Sequence, residues 1–388
     1  MKPKGIIRNI WLVDTTLRDG LQAPGFALSS ADKMLLADEL EALGLPELEA
    51  GFPGAGEQES LFIRRLVQRR FASRLTCWCR AIPSDVESAA RCETPSVHIS
   101  FPVSERLLRV FNKDLSWMYQ TLKELIHFAK SQFQYVSIGM QDASRADRAI
   151  LADFTDAVVA EGDVRLRVAD SVGILTPAGT AGLIGFIRRR APHLDIDFHA
   201  HNDLGMATAN SIAAVEAGAT SVNITINGIG ERAGNARLEE VAVALNLGLG
   251  ILTGINERRL VHASQLVARL SRRPLAPDKP ISGEQVFTHE SGIHGAAQIM
   301  DSLAYQPFPA SYLGRSEQPF RASALTGKTM LRHFLKAHDI YPTVRQCSLF
   351  VKIIKNEASR QKRSFEVDEL LRLWRQFSSL DTAGKELR

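Results

Sequence analysis

The chain has 388 residues, 45% of them hydrophobic, and a formal net charge of +4, enough apolar material for one large core and a smaller annex. Its basic residues fall in short clusters (Arg64-Arg65, Arg69-Arg70, Arg188 to Arg190), which read as solvated helix faces and not as the aromatic-studded basic stripe of a nucleic-acid binder; the mild positive balance still favours an anionic substrate. No apolar run reaches membrane-spanning length, the N-terminal MKPKGIIRNI meets Asp14 too soon to hold a signal-peptide core, and Cys77, Cys79, Cys92 and Cys347 show no CxxC spacing, so a cytoplasmic protein with reduced, mostly buried thiols is expected.

The first strand-type run is IWLVDTT (10–16). It is followed by TTLRDGLQAPG, not by the Gly-rich turn of a dinucleotide-binding sheet. A helix is predicted over 31–43, with Ser29-Ser30 supplying the N-cap and Gly44 ending it. Strand-type runs then recur at PELEAG (46–51), RLTCWCRA (74–81), SVHISFP (96–102), FQYVSIGM (133–140), RLRVADSV (165–172), LDIDFHAH (194–201) and TSVNITING (220–228). A helix is expected over 203–217 after Asn202, closed by Gly218. Eight strand–helix units within 1–255 predict an α/β chain folded as a (β/α)8 barrel, a TIM barrel; a doubly wound open sheet is the alternative. Beyond it, 256–388 reads as a linker and a small, mainly helical C-terminal subdomain. Residues 258–273 look helical, PLAPDKP (274–280) is a linker, 284–335 reads as irregular, and the tail from 342 is helical. In SFEVDELLRLWRQF (364–377), Val367, Leu370, Leu371, Trp374 and Phe377 share one face, expected to pack on a partner helix or a second subunit.

In a barrel, chemistry gathers where strands end. Arg18 and Asp19 follow the first strand, His199 and His201 close the seventh, and Asn235 follows the eighth. Alternate residues of a strand point to one face, about 7 Å apart, so the two imidazoles project together and, with Asp19, suit one divalent metal. One carboxylate and two imidazoles leave coordination positions open, a site for polarising a substrate and not a closed structural zinc. A 2-oxo acid chelates such a metal through its keto and carboxylate oxygens. Arg18 then either stabilises the developing oxyanion or serves as a salt bridge at the barrel rim. The loop NGIGERAGNA (227–236), with Gly228, Gly230 and Gly234 around Glu231, Arg232 and Asn235, allows close backbone approach to a phosphate-bearing cofactor such as a CoA thioester.

In order along the chain, DTTLRDGLQAPG, VSIGMQDASRAD (136–147), VADSVG (168–173), HAHNDLGMATAN (199–210), NGIGERAGNA and GEQVFTHESGIH (283–294) resemble the homocitrate synthase and isopropylmalate synthase family of Claisen-condensing enzymes. The likeness spans roughly 8–335; LTCWCRA, HAHNDLGMATAN and FTHESGIH are most similar to the nitrogen-fixation homocitrate synthases, and the chain leaves no room for the regulatory domain of typical isopropylmalate synthases. The resemblance implies a metal (Mg, Mn, Fe or Zn) on Asp19, His199 and His201, with Asn235 as a further or water-mediated ligand. It implies that Arg18, Gln22, Arg145 and Ser171 meet the 2-oxo acid. His98 either faces the substrate as well or is a buried core histidine. His294 and Tyr305 are implied to handle protons from the small subdomain, completing the site of the other subunit of a homodimer; simple interface hydrogen bonds are the alternative.

Three positions depart from the family pattern. Gln141 stands where a glutamate is usual, and an amide cannot accept a proton at neutral pH. Leu21 stands where many synthases have Glu or Asn, and ALTGKTMLRHFL (324–335) replaces the usual Gly-Lys-His-Ser-Gly-Arg pattern, keeping Gly327, Lys328 and Arg332. The expected activity is acetyl-CoA plus 2-oxoglutarate and water giving homocitrate and CoA, with a role in nitrogenase cofactor synthesis. The alternatives are isopropylmalate or citramalate synthesis, a lyase of the hydroxymethylglutaryl-CoA type, or a paralogue weakened by Gln141. The lyases share the RDGLQ string but carry a cysteine in the Gly-rich loop, and 227–236 has none.

Overall fold

The structure, a computed structural model, describes residues 10–316 and 321–386, with side chains of the last helix as far as Ser379. The signal-peptide expectation falls on residues 1–9 and lies outside the described residues. All eight expected strands form: β1 Trp11–Asp14, β2 Glu47–Gly51, β3 Arg74–Arg80, β4 Ser96–Pro102, β5 Tyr135–Gln141, β6 Arg165–Asp170, β7 Ile196–Ala200 and β8 Ser221–Ile224. Each pairs in parallel with its sequence neighbour, and β8 closes on β1. The chain is therefore a (β/α)8 barrel followed by a helical C-terminal region.

Strand alternation sorts the side chains. Leu12, Leu48, Val97, Ile99, Ile138, Val168, Phe198 and Val222 are fully buried on the strand faces that meet the surrounding helices. The register rows of the opposite face carry Glu49 beside Thr76, Ser100 beside Gly139, Gly139 beside Arg167, and Arg167 beside Asp197. Barrel interiors are usually filled with branched apolar residues. This one is lined with charge.

Local signals explain the helix starts. The first helix runs Ser30–Ala42, and Ser29 caps it in a reciprocal capping box with Asp32. The helix expected over 203–217 is shorter, Ala207–Glu216. Asn202 Oδ1 accepts the Ala207 N–H at 3.0 Å and Gly205 turns at φ +73°, so 202–206 forms a polar turn at the strand end instead of a first helical turn.

The chain divides into two compact units, Met1–Leu275 and Ala276–Arg388. Helix Leu260–Ser271 is anchored to the barrel: Arg259 and His262 both reach the buried Glu39 carboxylate, at 2.6 and 3.0 Å, and Asn227 Nδ2 donates to the Ser264 carbonyl. The second unit corrects the irregular reading of 284–335, which contains helix Gly292–Met300, a short 3-10 turn Ala310–Leu313 and the start of helix Lys328–Ala337. Gly292 and Gly295 weaken the helical pattern in sequence, but both serve close packing. A Cβ on Gly292 would lie 2.9 Å from Gly327 Cα, and one on Gly295 would overlap the Met330 side chain. The apolar face of 364–377 packs inside this unit: Leu370 and Trp374 join Leu331, Phe334, Phe350 and Ile354, with Trp374 edge-on to Phe350 at 5.1 Å. Its partner is thus helices of the same chain. All four cysteines are buried and free. Among the described residues no helix is long and apolar enough to cross a membrane.

Phe350 is fully buried at the centre of that cluster. Phe350→Ala is expected to lower the unfolding free energy by about 3–5 kcal/mol, read by denaturant titration; a loss under about 1 kcal/mol would mean the helices do not pack on this ring.

Candidate active site

After β1 the chain turns sharply. Asp14 accepts both the backbone N–H and the hydroxyl of Thr16, at 2.8 and 2.9 Å, and Thr16 Oγ1 accepts the Ile226 N–H, tying this turn to the end of β8. The turn delivers Arg18 and Asp19 to the barrel mouth, where Asp19 is buried. His199 arrives on β7. His201 lies one residue beyond the strand and is held by a backbone bridge to Asn235. Gly234 makes that approach possible, since it turns at φ +89° and a Cβ there would strike the Gly228 carbonyl.

Three ligand atoms converge. Asp19 Oδ2 stands 3.2 Å from His199 Nε2 and 3.8 Å from His201 Nε2, and the two imidazole nitrogens are 3.3 Å apart. Asn223 sets the ring of His199: its Nδ2 donates to both oxygens of Asp197, at 2.9 and 3.0 Å, leaving Oδ1 to accept from His199 Nδ1 at 3.1 Å. Nε2 therefore carries the lone pair. Burial and the neighbouring His199 pull the His201 pKa down to about 4, so this ring is neutral at pH 7. Burial alone would raise the Asp19 carboxyl, but the Arg18 guanidinium beside it holds it well below the usual carboxylate range. Asp19 Oδ2, His201 Nδ1 and Asn235 Oδ1 are buried without hydrogen-bond partners. A divalent cation bound at 2.0–2.2 Å wants donor atoms about 3 Å from one another, which this set supplies. Asp19, His199 and His201 form a candidate metal site.

Below the three donors lies a cavity of about 190 Å³, lined by Arg18, Asp19, Gln22, Trp78, His98, Ser100, Gln141, Arg167, Ser171, His199, His201 and Glu231. That is the scale of a small metabolite, below the usual range for a drug-sized ligand. Arg18 does two things at once: its Nε bonds Glu49 on β2 at 2.7 Å, and its guanidinium lies over Trp78 while facing the cavity. His98 is both buried and cavity-lining, with Nδ1 2.9 Å from Ser137 Oγ. Burial and then the Arg167 and Arg18 charges depress its pKa well below the normal value, so it is neutral. Ser171 Oγ accepts the Asp142 N–H at 2.8 Å, next to Gln141.

Not every expected residue comes here. Arg145 forms a two-pronged ion pair with Asp142, both bonds 2.8 Å, and does not line this cavity. His294 and Tyr305 belong to the second unit, where their rings stack with centroids 4.2 Å apart. Sequence reading missed Glu49, Trp78, Ser100, Arg167, Asp197 and Asn223. The period-2 alternation of RLRVAD and LDIDFH already puts Arg167 and Asp197 on the faces of Ala169 and His199; what it does not say is that those faces point inward.

These features match a known family. The chain belongs to the HMGL-like family, whose description fits residues 9–267, and residues 281–362 fit the homocitrate synthase post-HMGL domain-like family. It is 37% identical to homocitrate synthase 1 of Nostoc sp. over 95% of this chain and 97% of that one. It is 35% identical to 2-isopropylmalate synthase 2 of Caldanaerobacter subterraneus, over 94% of this chain and 95% of the relative. The barrel also resembles the crystal structure of the Bacillus subtilis HMG-CoA lyase (TM-score 0.63, 20% identity, 69% of this chain and 95% of that one), a likeness of fold.

Two outcomes are expected from the donor set. His199→Ala should lower bound divalent metal from about one per chain to near zero by elemental analysis; wild-type stoichiometry in that variant would exclude the assignment. In metal-free protein the depressed His201 makes the unfolded chain bind a proton that the fold refuses. Stability should therefore fall as pH drops from about 6.5 towards 4, by up to roughly 3 kcal/mol. Thermal melts across that window, with His201→Gln flattening the slope, measure it; an unchanged slope would remove His201 as its source.

Proposed function

We propose that this protein is an acyltransferase that condenses acetyl-CoA with 2-oxoglutarate and water, giving homocitrate and CoA and supplying homocitrate for nitrogenase cofactor synthesis. The observation that carries the reading is the convergence of Asp19, His199 and His201 over a polar, cation-lined cavity at the barrel mouth. Relatives named homocitrate synthase support it, as does the second-unit family.

A divalent cation held by Asp19, His199 and His201, with Asn235 as a further ligand, supplies Lewis-acid polarisation of the keto carbonyl. Arg18 faces the same space and balances the negative charge that grows on the keto oxygen when the acetyl carbon attacks. Its bond to Glu49 keeps the guanidinium in place, so little reorganisation is needed during the reaction. Gln22 and Ser171, which both line the cavity, offer hydrogen bonds to the 2-oxo acid. His98, neutral and fixed by Ser137, donates or accepts a hydrogen bond without adding charge. His294, stacked on Tyr305, is the proposed group for moving the acetyl proton. Hydrolysis of the thioester product makes the sequence irreversible, and the protein works as a homodimer.

Isopropylmalate and citramalate synthases are the second reading, because relatives with those names are almost as similar, at 35% and 36% identity. Measuring free CoA with a panel of 2-oxo acids separates them. The highest kcat/KM is expected for 2-oxoglutarate; a preference for 2-oxoisovalerate or pyruvate would overturn the homocitrate assignment and leave the reaction class standing.

Gln141 lines the cavity where the family pattern has a carboxylate. Gln141→Glu is expected to raise kcat by roughly 10²–10⁴-fold, the usual general acid–base contribution, with little change in 2-oxo acid affinity. A variant no faster than wild type would show that proton transfer does not pass through this position.

A further inference from the structure

We propose that Arg167, with Ser100, forms the subsite that selects a 2-oxo acid bearing a second, distal carboxylate. The inference rests on the condensing activity proposed above and assigns its substrate class to particular side chains.

Arg167 is buried on β6 and its fork is partly committed. Nε donates to Asp197 Oδ2 at 2.6 Å and Nη1 to Glu49, while Nη2 is buried with no hydrogen-bond partner. A buried guanidinium N–H without an acceptor is costly, and this residue lines the cavity beneath the candidate metal site. Arg18 is likewise shared between two carboxylates, Glu49 and Asp19, but none of its nitrogens is among the buried atoms left without a partner.

Depth fits a five-carbon diacid. Arg167 is in register with Asp197, two residues below His199 on β7, a step of about 7 Å. In 2-oxoglutarate three C–C bonds of about 1.5 Å each separate the keto carbon from the distal carboxylate carbon. With the keto end at the three donors, that span of about 4 Å and a hydrogen bond of about 3 Å together cover the step to the Arg167 level. The neighbouring strands leave room for it. Gly139 lies beside Arg167 in register, and a Cβ there would sit 2.6 Å from the His98 ring, so only glycine lets that ring lie alongside. Ser100, in register with Gly139 on its other side, adds a hydroxyl to the cavity. A carboxylate takes a charge-assisted bond from Nη2 and a second from Ser100. An apolar tail in the same place would leave Nη2 unpaired, and sites built to hydrogen-bond a substrate reject analogues lacking the polar group by up to roughly 10⁴-fold or more.

The test compares metal-loaded wild type, Arg167→Gln and Ser100→Ala with 2-oxoglutarate and with 2-oxobutyrate, which lacks the distal carboxylate. CoA release gives the ratio of kcat/KM values, and calorimetry gives 2-oxoglutarate binding directly. The ratio is expected to fall at least about 100-fold in Arg167→Gln and about tenfold in Ser100→Ala, each with matching loss of binding. If wild type prefers 2-oxoglutarate but Arg167→Gln lowers both acids in equal proportion, Arg167 is structural and the subsite is wrong while the homocitrate reading stands. If wild type prefers 2-oxobutyrate or another monocarboxylate, the homocitrate reading fails and the subsite with it. Should Arg167→Gln not fold, Ser100→Ala decides, because Ser100 takes part in no ion pair among the described residues; an unchanged ratio there overturns the proposal.

Discussion

Glu49 sits on β2 with no exposure to solvent, between two guanidinium groups. Burial alone would push its carboxyl up, but Arg167 and Arg18 outweigh that and keep it ionised. From this one carboxylate the site is built in two directions. Arg18 leads to Asp19, the acidic donor of the candidate metal site. Arg167 leads to Asp197, Asp197 to Asn223, and Asn223 to the ring of His199. The orientation of both kinds of donor thus depends on charges that the barrel cannot leave unpaired. Ion pairs of this kind add little net stability compared with an apolar core, yet removing one partner typically costs several kcal/mol. The interior is a framework for ligands, held together by the cost of breaking it.

A second set of charges lies towards the other end of the barrel. Glu47 accepts from Arg165, Thr76 and the Trp11 indole, and Arg74, also paired with Glu47, lies over the rings of Trp11 and Tyr135. Both arginines pair with Glu47, while Arg165 also feels Asp197 and Glu49 of the upper network and keeps its Nε buried without a hydrogen-bond partner. In the upper layer the acceptor Asp19 Oδ2 and the donor Arg167 Nη2 are buried without hydrogen-bond partners. Buried polar groups left unsatisfied each call for an explanation, and at the barrel mouth a bound ligand supplies one.

The mouth is shaped by backbone constraint as much as by charge. Asp142 adopts a left-handed conformation (φ +64°) directly after Gln141, and its carboxylate is held by Arg145 and by Ser104 Oγ at 2.5 Å. Arg145 thus braces the turn that follows Gln141. The loop after β8 behaves in the same way: Arg232 bonds Asp203 at 2.8 Å and the Ser171 carbonyl at 2.8 Å, bringing the ends of β6, β7 and β8 together around Glu231. These loops are stitched to one another, as a preorganised site requires.

Much of this was legible in the chain itself. Strand alternation and its recurrence determined eight β/α units, hence the barrel, and the placement of Arg18, Asp19, His199 and His201 at strand ends determined the candidate metal site. Both rest on periodicity and order, which are properties of sequence. The helical form of 292–300 was hidden, because its glycines lower local helix propensity and are explained only by the close approach of Gly327 and Met330. Arg167 carried no signal in the sequence that it faces the cavity. Tertiary structure decided this, because which face of a strand is inside, and which carboxylate stands opposite Arg167, depends on Glu49, 118 positions away, which it meets only when the barrel closes.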